Sequence, residues 1–146
     1  MSGEAEGEVE VEVVRWEEAR AGASGVRQAV FVEEQGIDPR LEWDDEGDAK
    51  SWHAVARYRQ RAVGTGRLLP SAHVGRMSVL KEFRGRRVGR RILEALENKA
   101  RQLGMPVMHL NAQMTAAEFY RRAGYEQEGK VFIEAGLEHV AMKKTL

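Results

Sequence analysis

The 146-residue sequence predicts a single-domain α/β protein (α+β, with a mixed sheet), and three observations carry that reading. From Glu8 the stretch EVEVEVV alternates with a period of two and puts Val9, Val11 and Val13 on one face of a half-buried strand. Two short apolar runs, Trp52 to Tyr58 and Ala62 to Leu69, flank the polar, basic turn Arg59-Gln60-Arg61, the pattern of a hairpin. Between Val74 and Ala112 a strand pattern, an amphipathic helix and a second strand pattern follow one another, which implies a parallel pair joined by a crossover.

Taken in order, residues 1–7 are small and acidic and read as a flexible tail, leaving 8–146 as the domain. Val26, Val30 and Phe31 have helical spacing that ends near Gln35 and Gly36, where glycine can take the left-handed cap. Ile37 to Lys50, rich in carboxylates and containing Pro39 and Gly47, reads as a long acidic loop, of a length that is often functional. His73 to Leu80 extends the hairpin into a meander. The helix that follows places Val88, Ile92, Leu93, Leu96, Ala100 and Leu103 on one face, with Gly104 just past its end and Pro106 beyond. Met105 to Ala112 is the second strand of the crossover. A shorter helix, Ala116 to Ala123, stops at Gly124, and Phe132-Ile133 and Leu137 to Met142 close the chain as strands.

Composition narrows the function. With no cysteine there is no disulfide, no thiolate metal site and no cysteine nucleophile, and neither H-x-x-x-H nor D-x-D-x-D-G spacing occurs, so no metal is expected. No apolar run approaches the ~18 residues of a membrane span, and the acidic N-terminus lacks a signal's apolar segment, so no membrane partner and a cytoplasmic location are expected. Net charge is +0, without the basic surplus or interleaved aromatics of a nucleic-acid binder, so no nucleic-acid partner is expected either. The charge is unevenly placed all the same: through Lys50 fifteen acidic residues face five basic ones, and the remainder is basic to the same degree.

The basic excess concentrates where the crossover helix begins. A helix start presents unpaired N–H groups and a positive dipole end, so it favours anions. Arg84, Arg86, Arg87, Arg90 and Arg91 crowd that end, an unfavourable arrangement unless an anion sits among them, and phosphate is the anion such a loop usually holds. The alternative is a solvated arginine face. Gly85 and Gly89 argue for the cradle, because glycine lets backbone N–H groups approach a ligand closely.

Arg84-Gly85-Arg86-Arg87-Val88-Gly89 resembles the pyrophosphate-binding pattern [QR]-x-x-G-x-[GA] of the GCN5-related N-acetyltransferase (GNAT) superfamily, with Arg87 standing where the family usually has its central glycine. The stretch from Gln113 through Ala116, Phe119 and Tyr120 to Gly124-Tyr125 is similar to the family's second signature, with Gln113 in place of asparagine. Phe31 to Ile37, Gly66-Arg67-Leu68, Gly75-Arg76-Met77 and Glu134 to His139 resemble the small bacterial ElaA- and YjcF-like branch. The resemblance runs from about Arg27 to Leu146.

It implies a mixed sheet of about seven strands flanked by helices, in which Val74–Leu80 and Met105–Ala112 are a splayed parallel central pair. Acetyl-CoA would lie in that splay, its pantetheine on Met77, Ser78 and Val79, its pyrophosphate on Arg84, Gly85, Arg86, Arg87, Val88, Gly89 and Arg90, with Gln113 and Phe119 completing the site. Transfer of the acetyl group to a primary amine needs a neutral amine, a polarising donor and an acid for the thiolate. The resemblance puts the donor at the Val79 N–H and the acid at Tyr120, which otherwise reads as a core aromatic beside Phe119.

Many relatives carry a glutamate base on the first splayed strand, and this chain has none there. His109, on the partner strand, is the candidate base, with Glu33, Glu34, His53 and His139 as competitors through water. The run Glu42, Asp44, Asp45, Glu46 reads as a solvated face, or else as an attractor for a cationic acceptor. Direct transfer in a ternary complex follows from the absence of cysteine, a non-catalytic acyl-CoA-binding module is the alternative, and the acceptor amine stays open. Dimerisation is common in such relatives, so a homodimer is an open possibility, though no stretch here marks its interface.

Overall fold

The computed structural model describes residues 8–146, so the tail expected over residues 1–7 lies outside the described residues. The alternating valines form β1 (Glu10–Arg15), and the chain turns directly into helix α1 (Trp16–Arg27), which continues as a wider π-helical segment, Gln28–Glu34. Gly36, at φ 71°, ends that segment as expected. The long loop expected from Ile37 to Lys50 is instead two short helices, α2 (Pro39–Glu42) and α3 (Asp45–Lys50). Asp38 caps the first by accepting from the Arg40 N–H, and Asp44 caps the second by accepting from the Gly47 N–H. Residues that read as loop chemistry are here helix caps.

Strands β2 (Trp52–Tyr58) and β3 (Arg61–Leu68) form the expected hairpin, closed by Arg59 and Gln60, both at positive φ as a two-residue turn requires. Then come β4 (His73–Val79), α4 (Val88–Gln102), β5 (Val107–Gln113), α5 (Ala117–Arg122), β6 (Glu126–Glu134) and β7 (Leu137–Thr145). The seven strands make one sheet in the order β1-β2-β3-β4-β5-β7-β6, antiparallel everywhere except between β4 and β5. This is the mixed α/β architecture the sequence predicts.

Helix α4 covers the sheet with Val88, Ile92, Leu93, Leu96 and Ala100, all buried. Leu103, expected on that face, is the residue capping the helix and stays 45% exposed. The helix can lie close because β3 is bare beneath it. A Cβ on Gly64 would stand 2.8 Å from Ile92 Cδ1, and one on Gly66 would stand 2.9 Å from Ile92 Cγ2 and 2.5 Å from Met77 Sδ.

The same stretch of β3 faces a bulge. Thr65 pairs with Ser78 and Arg67 with Gly75, so Gly66 alone faces both Arg76 and Met77, and Arg76 sits at φ 51°. A bulge bends its strand and re-aims the side chains on it. Beyond it β4 and β5 separate: they share only the pairs His73 with His109 and Val74 with Leu110, after which β5 follows β7. The parallel pair therefore opens toward its C-terminal ends.

Candidate active site

The splay is the floor of a cleft of about 1720 Å³. Drug-sized ligands fill roughly 300–1,000 Å³, so this cleft has room for a long ligand and a second molecule. One end is the start of α4; the other is bounded by α2 and the β6–β7 hairpin.

At the α4 end, Arg87 is the N-cap residue, its side chain makes no capping bond, and the first backbone bond back into the helix is Arg91 N–H to Arg87 C=O. The N–H groups of Val88, Gly89 and Arg90 thus precede the first intrahelical donor, as at any helix start. Around Gly85, at φ 79°, the space a Cβ would take is open, and a Cβ on Gly89 would stand 3.4 Å from Phe119. Arg87 holds a left-handed φ of 63°, which accounts for the glycine of the family pattern at this position.

The arginine side chains are mostly tethered. Arg84 donates to Glu34 through Nη1 and Nη2, both at 2.7 Å, and to the Val79 carbonyl through Nε at 3.0 Å. Those bonds to Arg84 hold the Glu34 carboxyl below its ordinary range. Arg86 lies over the Phe83 ring at 5.1 Å and does not line the cleft; Arg91 donates to the Val9 carbonyl. What this end offers an anion is chiefly backbone N–H, with Arg87 and Arg90 at the rim.

Met77, Ser78, Val79, Gln113, Phe119 and Tyr120 all line the cleft. Tyr120 is buried, its ring edge-on to Phe119 and Tyr125, and burial pushes its hydroxyl well above the usual tyrosine value, which keeps it protonated. Gln113 exchanges amide hydrogen bonds with Gln35 at 3.1 and 3.4 Å.

The candidate bases separate sharply. His109 lies outside the cleft lining, stacked on His73 at 5.1 Å and 3.9 Å from Glu128. The reason is its place along β5: His109 pairs with His73 where β4 and β5 are still joined, and the part of β5 that lines the cleft begins at Leu110. His53 is buried against Trp16 with Nε2 2.9 Å from the Asp48 carbonyl, its pKa lowered by desolvation. Glu33 is exposed and does not line the cleft. His139 does line it. Its Nδ1 is 2.9 Å from the Leu137 carbonyl, which places a hydrogen on that nitrogen, and its Nε2 is 3.7 Å from Glu134.

The acidic run is a solvated face only in part: Asp45 and Glu46 are exposed, while the carboxylates on either side of them turn inward. Glu42 accepts from Arg27 Nε at 2.5 Å, and Asp44 and Asp48 accept from Arg67 Nη1 at 3.0 and 3.1 Å. Burial works against the Asp44 carboxylate, but the Gly47 N–H and Arg67 hold its pKa below the usual value. Arg67 and Arg76, both in the cleft lining, were not singled out from the sequence as site residues. The sequence signal is an arginine set between glycine and an apolar residue inside each of two strands, Gly66-Arg67-Leu68 and Gly75-Arg76-Met77.

The Acetyltransferase (GNAT) domain profile matches residues 10–146. The chain belongs to the GNAT family. It is 38% identical over 136 residues to the uncharacterized N-acetyltransferase YjcF of Bacillus subtilis, covering 90% of this chain and 96% of that one. A crystal structure of a candidate N-acetyltransferase from Lactobacillus plantarum superposes with a TM-score of 0.87 at 33% identity, over 94% of this chain and 98% of that one. Escherichia coli ElaA shares the fold, with a TM-score of 0.82 at 24% identity over 94% and 99% of the two chains.

GNAT membership implies an acyl-CoA donor and an acceptor. The open N–H groups of α4, the space beside Gly85 and the unpaired length of β4 fit a donor with a diphosphate and an extended arm. Among the described residues no group of three or more His, Cys, Asp or Glu is arranged to hold a metal, and no helix is long and apolar enough to cross a membrane.

Proposed function

We propose that the protein is an acetyl-CoA-dependent N-acetyltransferase that passes the acetyl group directly to a primary amine in a ternary complex. The observation that carries this is the helix start of α4, without a side-chain cap, opening onto the same splay that Tyr120 lines. Acetyl-CoA, when bound, supplies the acetyl thioester.

The chain's own residues do the rest. Backbone N–H groups from Gly85 to Arg90 bind the diphosphate, and the β4 edge at Met77, Ser78 and Val79 holds the pantetheine arm, with the Val79 N–H polarising the carbonyl. His139 Nε2, rather than His109, takes the proton from the attacking amine, and Glu134 beside it steadies the imidazolium that forms. The new C–N bond displaces the C–S bond, and the Tyr120 hydroxyl gives its proton to the departing sulfur.

Thiol release from acetyl-CoA with a panel of amines tests the reading. Turnover that falls about 100-fold in Tyr120→Phe with CoA affinity retained is the expected result. CoA binding with no amine-dependent thiol release would make this a binding module.

A further inference from the structure

At the α2 end of the cleft, three guanidiniums and three carboxylates meet, and their bonds do not come out even. Arg27 takes both oxygens of Asp48, at 3.0 and 3.1 Å, and Glu42 through Nε. Arg67 takes Asp44 and Asp48. Each carboxylate is engaged before Arg76 is reached. Arg76 Nε comes no nearer than 3.8 Å to Glu42, beyond hydrogen-bonding distance, and it is buried with no hydrogen-bond partner among the described residues. The Nε of Arg67 is orphaned in the same way. Buried donors without acceptors are rare in folded proteins, and a guanidinium that lines the cleft without a hydrogen bond, its inner nitrogen already orphaned, favours an anion arriving from the cleft.

The backbone adds an independent reason. Arg76 occupies the bulge of β4 at φ 51°, a conformation costly for a residue with a Cβ and typical of sites where a side chain is aimed for use. The side chain keeps 27% of its surface and lines the cleft. Burial, and after it the repulsion from Arg67 and Arg27, lowers the Arg76 pKa and outweighs the opposing pull of Glu42 and Asp44.

We propose that Arg76, backed by Arg67, seats a carboxylate on the acceptor, so that the acetylated amine belongs to an amino acid rather than to a polyamine. This rests on the transfer reading above. A single carboxylate suits the site because the six charges already sum to zero and only one fork lacks a bonded partner; guanidinium and carboxylate match two bonds to two. Ile37 and Leu41 line the same end and give the acceptor's body an apolar wall.

The test is thiol release from acetyl-CoA with leucine, phenylalanine and β-alanine, each beside its amide, and with spermidine. The wild type is expected to use the acids with kcat/KM at least tenfold above the amides. Arg76→Gln should bring that ratio to about one by raising KM for the acids, and Arg76→Lys should leave an intermediate ratio. Circular dichroism and CoA affinity report folding; should Arg76→Gln not fold, Arg76→Asn, which tolerates positive φ better, carries the same comparison.

Amides or spermidine used as well as the acids, or a ratio unchanged in the variant, overturns the proposal. If no amine is acetylated, the transfer reading fails separately. Calorimetry of the same amino acids on CoA-saturated protein then decides: binding lost in the Arg76 variant upholds the carboxylate seat, and no Arg76-dependent binding overturns it.

Discussion

Arg84 grips Glu34 with both arms of its guanidinium, at 2.7 Å each, and the residue after Glu34 is bonded to the opposite side of the splay. Gln35 exchanges amide hydrogen bonds with Gln113 at the end of β5. The end of the π-helical segment thus bridges the two diverging strands beyond their last shared pair, Val74 with Leu110. Since the Arg84 fork is spent on Glu34 and its Nε on Val79, the Arg84 side chain holds the loop that leads into α4.

The ion pair has a pH signature. Glu34 has its pKa lowered from 4.5, first by the hydrogen bond from Arg84. A carboxylate depressed in the folded state contributes stability above its unfolded value and loses it as pH falls through the folded value. NMR titration of the Glu34 carboxyl should therefore give a midpoint below 4.5, and Arg84→Gln should return it toward that value. Both groups are more than a third exposed, so the effect on global stability should be small. A midpoint at or above 4.5 in the wild type would mean that the pair is not formed in solution.

Tyr120 makes the opposite prediction at the alkaline end. Burial raises its pKa above 10.0, and burial together with Glu97 does the same for Tyr125. For an acid raised in the folded state, stability is intact below the unfolded value and declines as pH rises past it, because the unfolded chain ionises first. Ultraviolet titration should show both phenols un-ionised through pH 10, with Tyr120→Phe leaving the absorbance change up to that pH unaltered, and stability should fall only above it. Ionisation of Tyr120 near pH 10 would remove the case for a desolvated proton donor.

Glu97 is a buried carboxylate with two partners. The Tyr125 hydroxyl donates to it at 2.9 Å, Lys144 Nζ lies 3.2 Å from both of its oxygens, and only 4% of the residue is exposed. Glu97→Ala would leave an ammonium and a phenol without their acceptor, so urea unfolding should show a loss of about 3 kcal/mol. Glu97→Gln keeps an acceptor for Tyr125 and should lose less. Equal losses would assign the effect to packing rather than charge.

Much of this molecule is legible in its sequence because the deciding forces are local. The valine alternation of β1, the two-residue turn at Arg59-Gln60 and the stop of α4 at Gly104 each depend on residues a few positions apart. What escapes is settled at long range. Asp44 turns inward because Arg67, 23 residues away, is waiting on β3, so a run that looks like solvated carboxylates becomes a helix cap and an ion pair. His109 and His139 share a face of the sheet, but His109 lies where β4 and β5 are still paired, whereas His139 lies opposite Gln113, beyond their last shared pair, and where two strands part is settled at long range. The Arg76 bulge depends on β3 offering only Gly66 across from two residues.

Arg87 gives a test of the proposed diphosphate site that does not depend on catalysis. Its φ of 63° is left-handed, a conformation that costs a residue with a Cβ roughly 1–2 kcal/mol, against roughly 0.5–1 kcal/mol of extra backbone entropy lost by glycine. Arg87→Gly should therefore stabilise the fold by about 0.5 kcal/mol, a rise in Tm of about 2 °C. CoA affinity should fall modestly and lose part of its salt dependence, since a cation leaves the rim while the backbone donors stay. A lower Tm would show that the Arg87 side chain does more for the fold than its backbone costs.

The most direct test of what opens the cleft is Gly66→Ala. The added Cβ would stand 2.5 Å from Met77 Sδ and 2.9 Å from Ile92 Cγ2. Met77 can swing aside, but Ile92 is fully buried on α4 and cannot, so either the helix lifts from β3 or β4 shifts at its bulge. Overpacking of this kind costs about 1–3 kcal/mol. Because Met77 and the start of α4 both border the cleft, CoA affinity should fall together with stability, whereas Gly25→Ala, inside α1 with open space around its Cβ, should leave CoA affinity unchanged and raise stability by about 0.5–1 kcal/mol. A destabilised Gly66→Ala protein that binds CoA with wild-type affinity would uncouple the seating of α4 on β3 from the geometry of the cleft.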